Sequence, residues 1–366
     1  MLIFLLIILL LVLFSVIFMN QEKFGSNPGG KRLARIKKSP HYTENSFQNL
    51  HETPSLTEGV TYIEAIRDIL FRKSANRKPP KPLPSKKTDL LNLDPFENIL
   101  VWFGHSSYFI QTDGKKILVD PVFSGSASPM PGGTKAFRGS DPYTVSDFPE
   151  IDILVLTHDH WDHMDYNTLI NFKSQTHTII CPLGVASHLE FWGFQKNKII
   201  ERDWNHEIKL GDGFTIKTAP ARHFSGRSFK RNQTLWTSYI LKTPTLKLYL
   251  GGDSGYDTHF AEIGKTEGPF DLVILENGQY DKNWKYIHMQ PEEVFQAAKD
   301  LGAKSLLPVH SCKFALANHS WDEPLERITN IGATQTEIHL VTPMIGEKVD
   351  LNNDQVLFEK WWQLVN

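Results

Sequence analysis

Six consecutive residues, His158-Asp159-His160-Trp161-Asp162-His163, constrain this chain more than any other stretch. Five of the six carry an imidazole or a carboxylate. They follow an apolar run, Ile151 to Leu156, with only Thr157 between. That run has the length and β-branched content of a buried strand. In an extended loop, side chains two apart point the same way, so His158 and His160 can chelate one ion. The Asp162-His163 pair then turns away and can serve a second ion. Imidazole with carboxylate suits Zn²⁺, and also Fe or Mn.

Such a site needs further ligands, and the chain repeats the same device elsewhere. Phe214 to Ala221 runs past Arg222 into His223, Leu246 to Gly252 into Asp253, and Ser305 to Val309 into His310. A rigid sheet presents functional groups on the loops at its strand ends. A lone histidine at a strand end is usually just a satisfied polar residue. Three such ends beside the hexapeptide reverse that expectation, and the four ends can converge on one edge of the sheet.

Other short runs read as strands: Ile99 to Phe103, Tyr108 to Ile110, Ile117 to Val119, Thr178 to Ile180, Tyr239 to Leu241, Leu272 to Leu275 and Ile338 to Val341. Asp113-Gly114 marks a hairpin turn. Helices are expected over Leu183 to Trp192 and Glu292 to Leu301, the latter after Pro291 at a first turn. No GxGxxG or GxxxxGK[ST] occurs, so a nucleotide-binding doubly wound fold is not expected. Two cysteines, Cys181 and Cys312, exclude a disulfide framework.

The first nineteen residues contain no charge and one polar side chain, Ser15. They read as an uncleaved transmembrane anchor, since no basic residue precedes them and no small-residue cleavage site follows. Basic residues after the run predict an outside N-terminus and a cytoplasmic body. The formal net charge of −2 hides a split. Residues 21–87 carry 14 Lys/Arg against 6 Asp/Glu; residues 88–366 carry 25 against 35. The basic segment includes Arg72-Lys73 and Lys86-Lys87, and with Pro79, Pro80, Pro82 and Pro84 it reads as an extended linker that can meet anionic lipid. The expected division is an anchor (1–19), a basic linker or N-terminal extension (20–87) and one hydrolase domain (88–366).

The phrases around these residues resemble the N-acyl-phosphatidylethanolamine-hydrolysing phospholipase D family within the metallo-β-lactamase fold superfamily. They are Trp102-Phe103-Gly104-His105-Ser106-Ser107, Asp120-Pro121-Val122-Phe123-Ser124, Thr157 to Asn167, Trp236-Thr237-Ser238-Tyr239, Gly252 to Tyr256, Gly268 to Leu272, His288 to Glu293 and Ala315 to Asn318. Their order matches from about position 100 to 325. The resemblance implies an α/β (α+β) fold, a four-layer αββα sandwich with metals at one edge. It implies that His158, His160 and His223 hold one zinc, Asp162, His163 and His310 another, and that Asp253 bridges them. It further implies Asp120 as an orienter of a ligand and His288 near the substrate phosphate. His105 reads as a strand-end residue packed below the site.

The activity implied is hydrolysis of N-acyl-phosphatidylethanolamine to an N-acylethanolamine and phosphatidic acid by a metal-bridging hydroxide, with Asp162, Asp253 and His288 as catalytic residues. Asp162 can orient the water and handle its proton. Trp161, Trp192, Trp236, Phe224 and Tyr256 can line an acyl channel or simply form core; Trp161 and Tyr256 are the substrate-contact candidates beside His288. Trp161 departs from the tyrosine of the family phrase, and Gln279 and Lys282-Asn283-Trp284 depart from its basic segment, so a cationic substrate contact is in question. The partners expected are a phospholipid and an anionic membrane surface, and no nucleic acid, because an acidic body repels polyanions. The rival readings are a lactonase or ester hydrolase of the same fold acting on a small soluble substrate, a nuclease, and a metal-binding scaffold without activity.

Overall fold

The computed structural model describes residues 1–71, 74 and 76–365, without the side chains of residues 2, 69 and 70. The Arg72-Lys73 pair lies outside the described residues. Two seven-stranded sheets face each other. Across the first lie Lys348–Asp350, Ile99–Trp102, Tyr108–Thr112, Lys115–Val119, Ile151–Val155, Thr176–Pro182 and Ile199–Arg202. Across the second lie His339–Leu340, Ala303–Val309, Phe270–Glu276, Lys247–Leu250, Ser238–Lys242, Phe214–Ala219 and Glu207–Gly211.

Strand alternation explains the layering. Ile117 and Val119 enter the cluster between the sheets, with Leu272 and Ile274 from the second sheet. Leu118 points the other way, onto the helices Tyr166–Phe172 and Ala186–Phe191. Val273 and Leu275 likewise meet His259–Glu267, Pro291–Asp300 and Glu323–Gly332. Each sheet is therefore buried on both faces, which is why its central strands read as unbroken apolar runs. The result is an αββα sandwich.

The Asp113-Gly114 turn joins Tyr108–Thr112 to Lys115–Val119, with φ of 47° and 79°. Both values suit the twist of a tight hairpin. The expected strand over 338–341 shortens to His339–Leu340. The helix expected from Leu183 begins only at Ala186. The edge strands Glu207–Gly211 and Lys348–Asp350 escape notice in the sequence because only alternate, isolated positions are buried.

The expected membrane anchor is not supported. Leu2–Met19 is a helix of 18 residues. At 1.5 Å per residue it reaches about 27 Å, short of a roughly 30 Å hydrocarbon core. Among the described residues no helix is long and apolar enough to cross a membrane. Its last turn is also engaged by the body: the Phe18 ring lies 5.3 Å from Phe24, which lies 5.2 Å from Trp161. The single-pass topology with a cytoplasmic body falls with it.

The segment after this helix packs on the sandwich. Phe47 N–H donates to the Asn232 carbonyl, and Asn49 donates to the His223 carbonyl while accepting from the His223 N–H. Arg32 and Arg35 both pair with buried Glu201.

Candidate metal centre

In the middle of each sheet the strands run parallel. Their carboxyl ends gather at one edge, where an open α/β sheet presents its ligands. Thr157 and His158 leave the end of Ile151–Val155, Asp120 that of Lys115–Val119, Asp253 that of Lys247–Leu250, and His310 that of Ala303–Val309. The loops carrying His105 and His310 lock together through two backbone hydrogen bonds, His105 N–H to Ser311 O and His310 N–H to His105 O. His105, Asp120 and His310 adopt left-handed φ values of 53°, 42° and 67°. For non-glycine residues that is a strained conformation, of a kind that clusters at functional sites.

Two groups of side chains converge there. His158, His160, His223 and Asp253 form one; His105, Asp162, His163 and His310 form the other. Within each, the ligand atoms lie within 4.8 Å of one another. Asp253 joins them: its Oδ2 is 3.6 Å from His223 Nε2 and 3.3 Å from His310 Nε2, and its Oδ1 is 3.1 Å from His163 Nε2. The structure thus brings together all seven side chains expected as ligands.

Hydrogen bonds fix which face of each ring looks inward. His163 Nδ1 is 2.8 Å from Asp120 Oδ2, and His223 Nδ1 is 3.0 Å from the Ile287 carbonyl. Each Nδ1 must carry a proton, so in the neutral ring it is Nε2 that keeps the lone pair. Thr157 donates its backbone N–H and its hydroxyl to Asp120, at 2.9 and 2.5 Å. Its oxygen can then accept from His158 Nδ1, 3.0 Å away. Asp120 therefore sits where an orienting carboxylate belongs. The lone pairs of His158 and His223 both face His160 Nδ1, at 2.9 and 3.2 Å, and a single proton there can answer only one of them. Where Asp253 meets the other group, its Oδ1 and His163 Nε2 are buried and 3.1 Å apart, yet neither makes a hydrogen bond. Converging lone pairs and orphaned buried atoms are costly unless a cation lies among them. The donor set fits two divalent ions.

The charge balance points the same way. Burial pushes His158 and His223 well below the ordinary histidine range and His160 to about 4, leaving neutral ligands. Around His163 burial acts in the same direction, but Asp253 and Asp162 outweigh it and draw the ring well up. The second group thus holds an excess of negative charge.

His288 lies beside the centre, its ring 5.1 Å from His310 and 5.2 Å from His223. Trp161 lies at the rim, with the Arg227 guanidinium 3.8 Å above it. Tyr256 is not brought to the site, for its hydroxyl donates to Asp300 at 2.6 Å. Trp192 and Trp236 are packed away from it, with indole N–H groups on the Glu22 and Ala221 carbonyls. Gln279 acts as a clasp at the edge of the site, donating to the His310 and Phe314 carbonyls.

Sequence reasoning understated three residues. His105, fully buried, donates from Nε2 to Asp162 Oδ2 at 2.8 Å. Glu276, also fully buried, has Oε2 3.4 Å from His288 Nδ1 and 3.6 Å from His310 Nδ1. Asp159 faces away from the metal groups and accepts from Gly226 N–H, the Thr234 hydroxyl and His188 Nε2, at 2.7, 2.9 and 3.3 Å. The one signal available was position: Glu276 also ends an apolar strand run.

Residues 115–311 match the model of the beta-lactamase superfamily domain, more than half of the chain. The chain belongs to the metallo-β-lactamase superfamily. An uncharacterised protein of Mycobacterium tuberculosis is 36% identical over 334 residues, covering 90% of this chain and 88% of that one. An N-acyl-phosphatidylethanolamine-hydrolysing phospholipase D of Caenorhabditis elegans is 28% identical over 291 residues, covering 72% and 78%. Among solved structures, a metallo hydrolase of Ignicoccus hospitalis shares the fold with a TM-score of 0.53 and 22% identity, covering 69% of this chain and 98% of that one. The chain is thus a metal-dependent hydrolase by family and fold, and the phospholipase D resemblance fits these relatives.

Proposed function

We propose that the protein is a dinuclear metal-dependent phosphodiesterase that cleaves N-acyl-phosphatidylethanolamine, releasing an N-acylethanolamine and phosphatidic acid. The observation that carries this reading is that the metal centre opens onto two apolar grooves rather than onto a small closed pocket. One, of about 350 Å³, is walled by Leu56, Tyr62, Ala65 and Ile66 of the N-terminal segment and by Trp284. The other, of about 610 Å³, is walled by Phe14, Phe18, Phe24, Met130, Trp161 and Phe229. His160 and Asp162 line both. A substrate with apolar chains on both sides of its reacting group fits that layout.

His158, His160 and His223 would hold one ion and Asp162, His163 and His310 the other, with Asp253 between. Zinc is the metal proposed, with iron or manganese compatible with the same donors. Two such ions would supply Lewis-acid charge and make water nucleophilic near neutral pH. Asp162, held by the His105 hydrogen bond, would orient that water and take its proton. Water's oxygen bonds to phosphorus, the bond to the ethanolamine oxygen breaks, and the proton passes to that oxygen. His288 lines the first groove, where it can hydrogen-bond a phosphate oxygen. The basic segment 21–87 would meet the anionic lipid surface that presents the substrate.

A neutral ester or lactone is the second reading. It is favoured by the loop that puts Gln279 and Trp284, and no cation, against the first groove. Incubating the metal-loaded enzyme with N-acyl-phosphatidylethanolamine, phosphatidylethanolamine, phosphatidylcholine and a lactone panel separates the two. Turnover confined to lactones would end the phosphodiesterase reading.

A further inference from the structure

The cation missing from that loop has a replacement from another part of the fold. Most basic side chains near the centre are already committed. Arg227 donates to the Asp159, Met164 and Lys23 carbonyls. Arg222 donates to Glu52 O, Thr53 Oγ1 and Tyr256 O. Lys285 pairs with Glu58, Lys282 with Asp68, and Lys23 with the Pro129 carbonyl. Arg231 differs: among the described residues its guanidinium makes no hydrogen bond or ion pair. It rests on a ring, with Cζ 4.9 Å from the centroid of Phe224. Phe224 in turn lies edge-on 4.5 Å from His160 and tilted 4.8 Å from His223. The guanidinium therefore stands one aromatic ring away from the metal-ligating imidazoles. Arg231 and Phe224 line both grooves, beside His160 and Asp162.

We infer that Arg231 is a substrate-binding residue that grips an anionic oxygen of the phosphodiester where the two grooves meet. This rests on the phosphodiesterase reading. An arginine with its donors free and its flat face held by a ring is preorganised for two-pronged contact with phosphate. It selects anionic over neutral substrates by charge.

The test is binding of inorganic phosphate to the metal-loaded full chain, by calorimetry, for the wild type and for Arg231→Ala, Arg231→Lys and Lys230→Ala. A charge-assisted contact of this kind corresponds to roughly a tenfold or greater rise in Kd when lost. Arg231→Ala should show that rise, Arg231→Lys should recover part of it, and Lys230→Ala, a neighbour that lines neither groove, should leave Kd within about twofold. In turnover, Arg231→Ala should raise KM for bis(p-nitrophenyl) phosphate with little change in kcat, and leave p-nitrophenyl butyrate hydrolysis unaltered. No measurable phosphate binding, an unchanged Kd in Arg231→Ala, or equal losses on the charged and neutral esters would each overturn the assignment. Failure of the lipid panel alone, with the Arg231-dependent phosphate site intact, would instead remove the lipid and leave this contact standing.

Discussion

Replacing Asp159 by asparagine should destabilise the protein by an amount the structure allows to be worked out. Asp159 is buried, and no metal ligand touches its carboxylate. Burial alone would raise its pKa, but the hydrogen bond from His188, with help from the nearby Arg227 guanidinium, outweighs burial and brings it from 3.8 to about 2. A shift of nearly two units corresponds to roughly 2.5 kcal/mol. The donors show why an amide cannot substitute. The Ser26 N–H donates to His188 Nδ1 at 3.1 Å, so the proton of this ring sits on Nε2 and points at Asp159. An asparagine accepts through one oxygen only. If that oxygen serves Gly226 N–H, its amide group meets the His188 proton, and the ring can turn tautomer only by losing Ser26. One buried hydrogen bond is lost in either arrangement.

The assay is urea unfolding of wild type and Asp159→Asn between pH 8 and pH 3. The pKa is depressed in the folded state, so the stabilisation is fully present above 3.8 and is lost as pH falls toward 2. The difference between the two proteins should be about 2–3 kcal/mol and flat from pH 8 to pH 5, then shrink below about pH 4. Loss of metal in acid affects both proteins and cancels in the difference. A gap below about 0.5 kcal/mol at neutral pH, or one that widens on acidification, would refute the reasoning.

Three further outcomes are expected. Metal analysis of the wild type should give close to two equivalents, and Asp253→Asn should lower metal content and abolish hydrolysis; full activity in that variant would remove the bridging role. His105→Ala leaves Asp162 without its 2.8 Å partner, and losing the hydrogen bond that orients a ligand weakens metal binding roughly 10–100-fold, readable by chelator competition. At Gly25, where φ is 69°, a methyl group would lie 2.2 Å from His188 Nδ1. Gly25→Ala should lift the N-terminal segment off the body and expose Lys31 and Arg32 to trypsin, while unchanged digestion would mean that the segment is held elsewhere.

The hexapeptide and the three strand-end ligands were legible because each depends on its own few neighbours. A run that fills both faces of a strand must end at the sheet edge, and the next polar residue is presented there. The partners of those ligands were not legible, because they come from distant parts of the chain. His105 reaches Asp162 across 57 positions, and Asp159 reaches Thr234 across 75. No local pattern marks His105 as a donor to a ligand rather than a packed histidine; the loop that carries it takes its place only when Ser311 and His310 pair with its backbone. The N-terminal helix shows the same limit from the other side. Apolarity from Met1 to Met19 says that water is a poor environment for these side chains, and a bilayer is one of two ways to remove them from it. The other is another part of the same protein. Phe14, Phe18 and Met19 wall the groove that runs to His160 and Asp162, so part of the run is answered by the site itself. Composition registers how apolar a segment is but not what meets it, and here the body meets the end of the run, at Phe18 and Met19, while most of the side chains before it stay exposed.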